Sequence, residues 1–167
     1  VAPRRARLWT AASLWEALAG DGVGTITSET CGTFGYGMFN AFFGAGMLRE
    51  AAAAVSHSQG DVIPSNHPGS LSLAVRQPLG VVLGIAPWNA PIILGVRAVA
   101  MPLACGNTMI LKASAETPLT QRLIGEILAE AGLPKGACNV LPSHRVESPA
   151  LGNALNPNPP GGRAHVT

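Results

Sequence analysis

Leu8, Ala11, Trp15 and Leu18 recur at i, i+3, i+7 and i+10, the spacing of one buried stripe on an amphipathic helix. Gly20-Asp21-Gly22 predicts its end. A second helical stretch, about residues 38 to 56, is apolar on most sides through Met38, Phe39, Phe42, Phe43, Met47 and Leu48, with Asn40, Arg49 and Glu50 among its few polar positions. A helix of that kind is usually sandwiched between layers. The glycine pairs at 35/37 and 44/46 follow no strand, so they read as points of close helix packing and not as a phosphate loop.

The pattern then changes. Residues 61–69 are turn-rich, and Ser70 to Gln77 alternates polar and apolar, predicting a half-buried strand that forms one arm of a hairpin. Beyond it three short apolar runs, Gly80–Ala86, Asn107–Lys112 and Ala137–Leu141, alternate with two helices. Pro91 opens the first helix, which runs to Ala104. Thr117 and Pro118 give the second an N-cap and first-turn signal, and Gly132 gives its stop. The strands start about 27 to 30 residues apart, the pitch of βαβ units. Their continuous apolar character is that of a parallel sheet covered by helices on both faces. The fold class is therefore α/β, with a helical segment over 1–60, a strand or hairpin arm over 61–79 and a βαβαβ unit over 80–167. Ligands bind beyond the carboxyl ends of such strands, which here means residues 86–89, 112–116 and 142–144.

Composition narrows the classes. Of 167 residues 47% are apolar and 12% charged, too apolar for a disordered tail, and the low charge points to surface that something else covers. A net charge of +2 with no basic cluster beyond Arg4-Arg5-Ala6-Arg7 gives nucleic-acid binding little support. The longest uncharged apolar run, Leu79 to Val96, is broken by Pro87, Asn89 and Pro91, against a membrane span. Cys31, Cys105 and Cys138 are an odd number without C-x-x-C spacing, which predicts a reducing, cytoplasmic setting. His57, His67, His144 and His165 are scattered, so no metal site is expected.

Two strand ends carry chemistry. After the first stands Ala86-Pro87-Trp88-Asn89-Ala90-Pro91. A rigidly held Asn89 amide in a dry cleft suits an oxyanion, while the plainer reading makes Asn89 the N-cap of the next helix. Trp88 reads as a packing residue. After the second strand, Lys112 leaves an apolar run at the sheet edge, free to donate to ribose hydroxyls or phosphate, or simply to reach solvent. No G-x-G-x-x-G loop follows any of these strands.

Gly84-Ile-Ala-Pro-Trp-Asn-Ala-Pro91, Ala100 through Ser114, Thr117-Pro-Leu-Thr120 and Ala131 through Gly136 together resemble the NAD(P)-dependent aldehyde dehydrogenase superfamily. Gly35 through Asn40 and Pro68 through Pro78 resemble its salicylaldehyde and vanillin branch. The resemblance implies a partial Rossmann-like, three-layer fold and oxidation of an aromatic aldehyde to its carboxylic acid with NAD or NADP. In that chemistry a cysteine thiolate attacks the aldehyde, hydride leaves to the cofactor, and water activated by a glutamate hydrolyses the thioester. It implies an oxyanion role for Asn89 and ribose binding by Lys112. It also implies a cofactor cleft lined by Ala86, Pro87, Trp88 and Asn89 together with Lys112, Ser114 and Ala115. Residues 61 to 78 would serve homo-oligomer assembly.

The departures are specific. The family pattern Lys-x-x-Glu becomes Lys112-Ala-Ser-Ala115, with Glu116 one residue late. On a helix that step turns a side chain by about 100° away. The match weakens past Ser143, and Asn153 to Gly162 is rich in Pro and Asn. The family's nucleophilic cysteine and general-base glutamate have no counterpart in these 167 residues, which predicts a chain inactive alone. The other expectation is a non-catalytic relative serving assembly or binding.

Overall fold

The computed structural model describes residues 2–17, 19–144, 146–155 and 163–166. Helix α1 (Ala2–Ala17) buries Leu8, Ala11, Ala12 and Trp15, the stripe its spacing predicts; Leu18 lies outside the described residues. The predicted break at Gly20-Asp21-Gly22 does not occur, because these residues sit inside a further helix, α2 (Ala19–Thr30). Each glycine there costs about 1 kcal/mol against alanine. Packing outweighs that cost: Val23 and Ile26 are 1% and 0% exposed.

Helix α3 (Phe34–Ala54) starts at Thr33, whose hydroxyl accepts the Tyr36 N–H at 3.2 Å, and ends in a 3-10 turn at Val55–His57. It is the sandwiched helix the sequence predicts, packing on α1, on α2 and on α4 (Pro91–Ala104). One glycine of each pair is a contact point. A Cβ on Gly37 would lie 2.7 Å from Val23 Cγ1 and one on Gly44 2.6 Å from Ile92 Cγ2, whereas Gly35 and Gly46 face open space.

The hairpin is complete within 61–77: β1 (Asp61–Ile63) pairs antiparallel with β2 (Ser72–Ala74). Its first arm lies in the segment that the turn residues marked as irregular. The main sheet has four parallel strands, β3 (Val81–Ile85), β4 (Thr108–Lys112), β5 (Cys138–Leu141) and β6 (Arg163–Val166), in the order β5-β4-β3-β6. Three coincide with the predicted apolar runs. The fourth follows α6 (Ser148–Leu155), in a tail where periodicity marks no strand. Residues 156–162, which hold most of the Pro- and Asn-rich stretch, lie outside the described residues.

Helices α4 and α5 (Pro118–Glu130) lie side by side on one sheet face, since a Cβ on Gly95 would touch both Ile124 of α5 and Leu111 of β4. Helices α1 to α3 form a third layer beyond them. Burial along β4 alternates. Met109 and Leu111, toward α4, are fully buried, while Ile110 is half-buried, so the two faces are not covered equally as a fully sandwiched sheet would be.

The paired glycines give a direct check. Gly44→Ala forces a methyl against the buried Ile92 and should destabilise by about 1–3 kcal/mol. Gly46→Ala meets nothing and should stabilise by about 0.5–1 kcal/mol through helix propensity alone. Urea denaturation of the two variants should therefore shift the midpoint in opposite directions.

Candidate active site

In the sheet, β4 and β6 flank β3 on opposite sides, so the strand order reverses at β3. The carboxyl end of β3 is thus the switch point at which open parallel sheets leave a crevice. A cleft of about 710 Å³ lies there, lined by Ala86, Pro87 and Trp88 after β3, by Lys112, Ser114, Ala115 and Glu116 after β4, and by Glu29 of α2. Six of the seven residues singled out from sequence line this one cleft; Asn89 adjoins it in the β3 loop.

Two residues that periodicity did not single out shape the cleft. Gln121 is fully buried. Its Oε1 accepts the Ser114 N–H at 2.6 Å, and its Nε2 donates to the carbonyls of Pro87 (3.0 Å) and Pro91 (3.3 Å). One amide therefore ties the β3 loop to the β4 loop. Glu29 accepts the N–H groups of Leu119 (2.9 Å) and Thr120 (2.7 Å), so its carboxylate caps α5 from another helix. An acid at a helix N-terminus meets both orphan donors and the positive end of the dipole. Thr117 occupies the cap position the sequence predicts, yet its hydroxyl makes no cap bond. The signal for Glu29 was absent because it stands about 90 residues from its partners, and nothing in the pattern of α5 marks Gln121 as buried.

Individual expectations change in detail. Asn89 is not a cap, since Ala90 holds that position of α4. Its side chain is exposed and its backbone carbonyl accepts the Tyr36 hydroxyl, which anchors the loop to α3. Trp88 is 53% exposed on the cleft and so is no packing residue. Lys112 Nζ makes one long contact, 3.4 Å to the Ala113 carbonyl. Residues 113–117 precede α5 and are not helical, so the rotation argument against Glu116 does not apply, and its side chain lines the cleft.

The aldehyde dehydrogenase family profile matches residues 1–159. The chain belongs to the aldehyde dehydrogenase family. It is 55% identical over 164 residues to a vanillin dehydrogenase of Pseudomonas sp. (strain HR199 / DSM 7063), covering 98% of this chain and 34% of that protein. Among solved structures, a salicylaldehyde dehydrogenase from Pseudomonas putida G7 in complex with salicylaldehyde superposes with a TM-score of 0.93 at 36% identity, over 96% of this chain and 33% of that one. An NAD-dependent benzaldehyde dehydrogenase from Corynebacterium glutamicum gives 0.87 at 26% identity, over 98% of this chain and 41% of that one. The chain spans about a third of the length of the curated relatives it matches.

Among the described residues of this aldehyde dehydrogenase chain no cysteine lines the cleft. Cys31 is exposed after α2, and Cys105 is exposed at the C-cap of α4. Cys138 opens β5, and burial pushes its thiol up to about 12 from an ordinary 9.0. Among the described residues no group of three or more His, Cys, Asp or Glu could hold a metal ion, and no helix is long and apolar enough to cross a membrane.

Gln121→Leu strands the Ser114 N–H and the Pro87 carbonyl, and should cost about 2–3 kcal/mol in denaturant unfolding. The Cys138 thiol is protonated in the folded chain over a range in which the unfolded chain ionises. Stability from this residue is therefore full below about pH 9 and falls as pH rises toward 12. Cys138→Ala should flatten that alkaline decline in a series of unfolding curves.

Proposed function

We propose that the strand-end cleft is the dinucleotide site of an enzyme that oxidises an aromatic aldehyde to its carboxylic acid with NAD or NADP. The observation that carries this is the meeting, at the switch point, of Ala86-Pro87-Trp88 with Lys112 and Glu116. The donor set fits. Lys112 has an ammonium with one weak contact and N–H groups left for ribose or phosphate oxygens, and the exposed Glu116 offers acceptors for ribose hydroxyls in place of Ala115. Ser114 and Ala115 form the adjoining wall, and Trp88 presents an aromatic face. When bound, the nicotinamide ring accepts hydride. Asn89, exposed and without a side-chain partner among the described residues, is the amide available to a developing oxyanion. Vanillin, salicylaldehyde and benzaldehyde, named for the relatives, share an aryl aldehyde, which supports the substrate class.

In this reading residues 80–167 are the nucleotide-binding unit, 1–60 its helical support and 61–79 an assembly arm for a homo-oligomer. Val62, Leu71 and Val75 of that arm are 71–74% exposed, as an unpaired interface would be. Three free cysteines fit a reducing cytoplasm. A second reading, a non-catalytic binding or assembly module, draws on the absence of a thiol from the cleft.

Titration with NAD, followed by tryptophan fluorescence, should give saturable binding that Lys112→Ala weakens by about tenfold or more, the worth of one charge-assisted contact. No binding by the parent chain would remove the cofactor reading. Incubated with NAD and vanillin, the 167-residue chain should form no carboxylate; measurable turnover would show that a thiol of this chain serves as nucleophile.

A further inference from the structure

A second cavity, about 630 Å³, opens at the opposite end of the sheet, by the amino-terminal ends of β3 and β4. It lies where Leu79 and Val82 lead into β3 and where α4 ends at Met101 and Cys105. Arg97, Met101 and Cys105 stand at i, i+4 and i+8, one row of α4, and all three line it. The apolar residues that line it are Leu79, Val82, Met101 and Pro102, of which Val82 is only 4% exposed. Its charge comes from Arg76 and Arg97; no acidic residue is among the described residues of the lining.

Those cations are uncommitted. Arg97 has no hydrogen bond or ion pair among the described residues, and the two ion pairs there, Arg49–Glu16 and Arg122–Glu126, involve none of the cavity residues. Arg76 gives only its Nε–H, to the Gln59 carbonyl at 2.9 Å, which leaves the outer N–H groups of its fork. The Arg4 guanidinium lies against Gly106, between the lining residues Cys105 and Asn107 in the chain, and adds a third positive group nearby. Three carbonyls at the end of α4 are taken within the turn: Met101 by the Cys105 N–H, Leu103 by the Gly106 N–H, and Pro102 by both the backbone and side-chain amides of Asn107.

An apolar cavity of a few hundred Å³ with convergent polar groups is the common form of a small-molecule site, and a guanidinium fork matches a carboxylate. We propose that this cavity binds a small organic monocarboxylate, its aryl or alkyl body on Leu79, Met101 and Pro102 and its carboxylate between Arg76 and Arg97. Its residues are separate from those of the strand-end cleft, so the site stands whether or not that cleft takes a dinucleotide.

Thiol labelling reads the site directly, with benzoate as the probe. Cys105 lines the cavity, while the exposed Cys31 lies outside it and serves as internal reference. Iodoacetamide labelling, resolved by peptide mass spectrometry, should slow at Cys105 in a saturable manner as benzoate is added and stay constant at Cys31. Arg97→Gln, an exposed position whose fold is verified by circular dichroism, should raise the half-protection concentration by about tenfold or more. Lys112→Ala should leave it unchanged. Acetate, which lacks the apolar body, and benzyl alcohol, which lacks the charge, should protect only at far higher concentration. The proposal fails if benzoate leaves Cys105 labelling unchanged, if Arg97→Gln gives the parent curve, if Lys112→Ala abolishes protection, or if acetate protects as well as benzoate.

Discussion

The loops that follow β3 and β4 carry the cleft, and neither has a regular ladder to hold it. What fixes them is the side chain of Gln121, wholly buried at the start of α5, which satisfies the N–H of one loop and the Pro87 carbonyl of the other and also reaches the Pro91 carbonyl that opens α4. A dry interior makes each of those backbone groups expensive to leave unpaired, so the amide is effectively obligatory once the loops are packed. Pro87 and Pro91 narrow the backbone further, and Tyr36 adds a tether from α3 through the Asn89 carbonyl. The position of Trp88 and Lys112 relative to each other follows from this brace.

Glu29 extends the same logic to the helical layer. By capping α5 it couples α2 to the cleft wall, which gives the glycine-rich α2 a reason to be ordered beyond its own apolar contacts. Val23 and Thr27 pack against α3 where Gly37 lets the backbones approach. The N-terminal helices are thus part of the structure that sets the cleft.

Much of the α/β portion was legible because buried parallel strands write themselves as apolar runs at a fixed pitch: Val81–Ile85, Thr108–Lys112 and Cys138–Leu141 fall within the predicted runs. Most of the cleft lining was legible for the same reason, since strand ends are countable. Residues from 86–89 and 112–116 line it, whereas none of 142–144 is among its described lining residues. What stayed hidden depends on partners far along the chain. Helix α2 reads as a break because Gly20, Gly22 and Gly24 disfavour a helix locally, and only tertiary burial reverses that preference. Thr117 carries the sequence signature of a cap while a carboxylate from α2 does the capping. β6 has neither length nor periodicity to announce it, and its place is set by the open flank of β3.

That open flank bears on the order in which the chain can assemble. β3 meets β4 across about 27 residues, and β4 meets β5 across about 29, each loop largely taken up by its own helix. β6 meets β3 only across about 81 residues. Closing the longer loop costs about 1 kcal/mol more in chain entropy if it is flexible, and it rewards the chain with a single edge pairing. The β3–β4–β5 unit with α4 and α5 therefore has the cheaper route to formation, and β6 docks onto a sheet already built. Because β6 forms one side of the switch point, a route of that order gives the crevice its second bank only when β6 docks. A ligand held across that crevice would favour the final docking over its reversal.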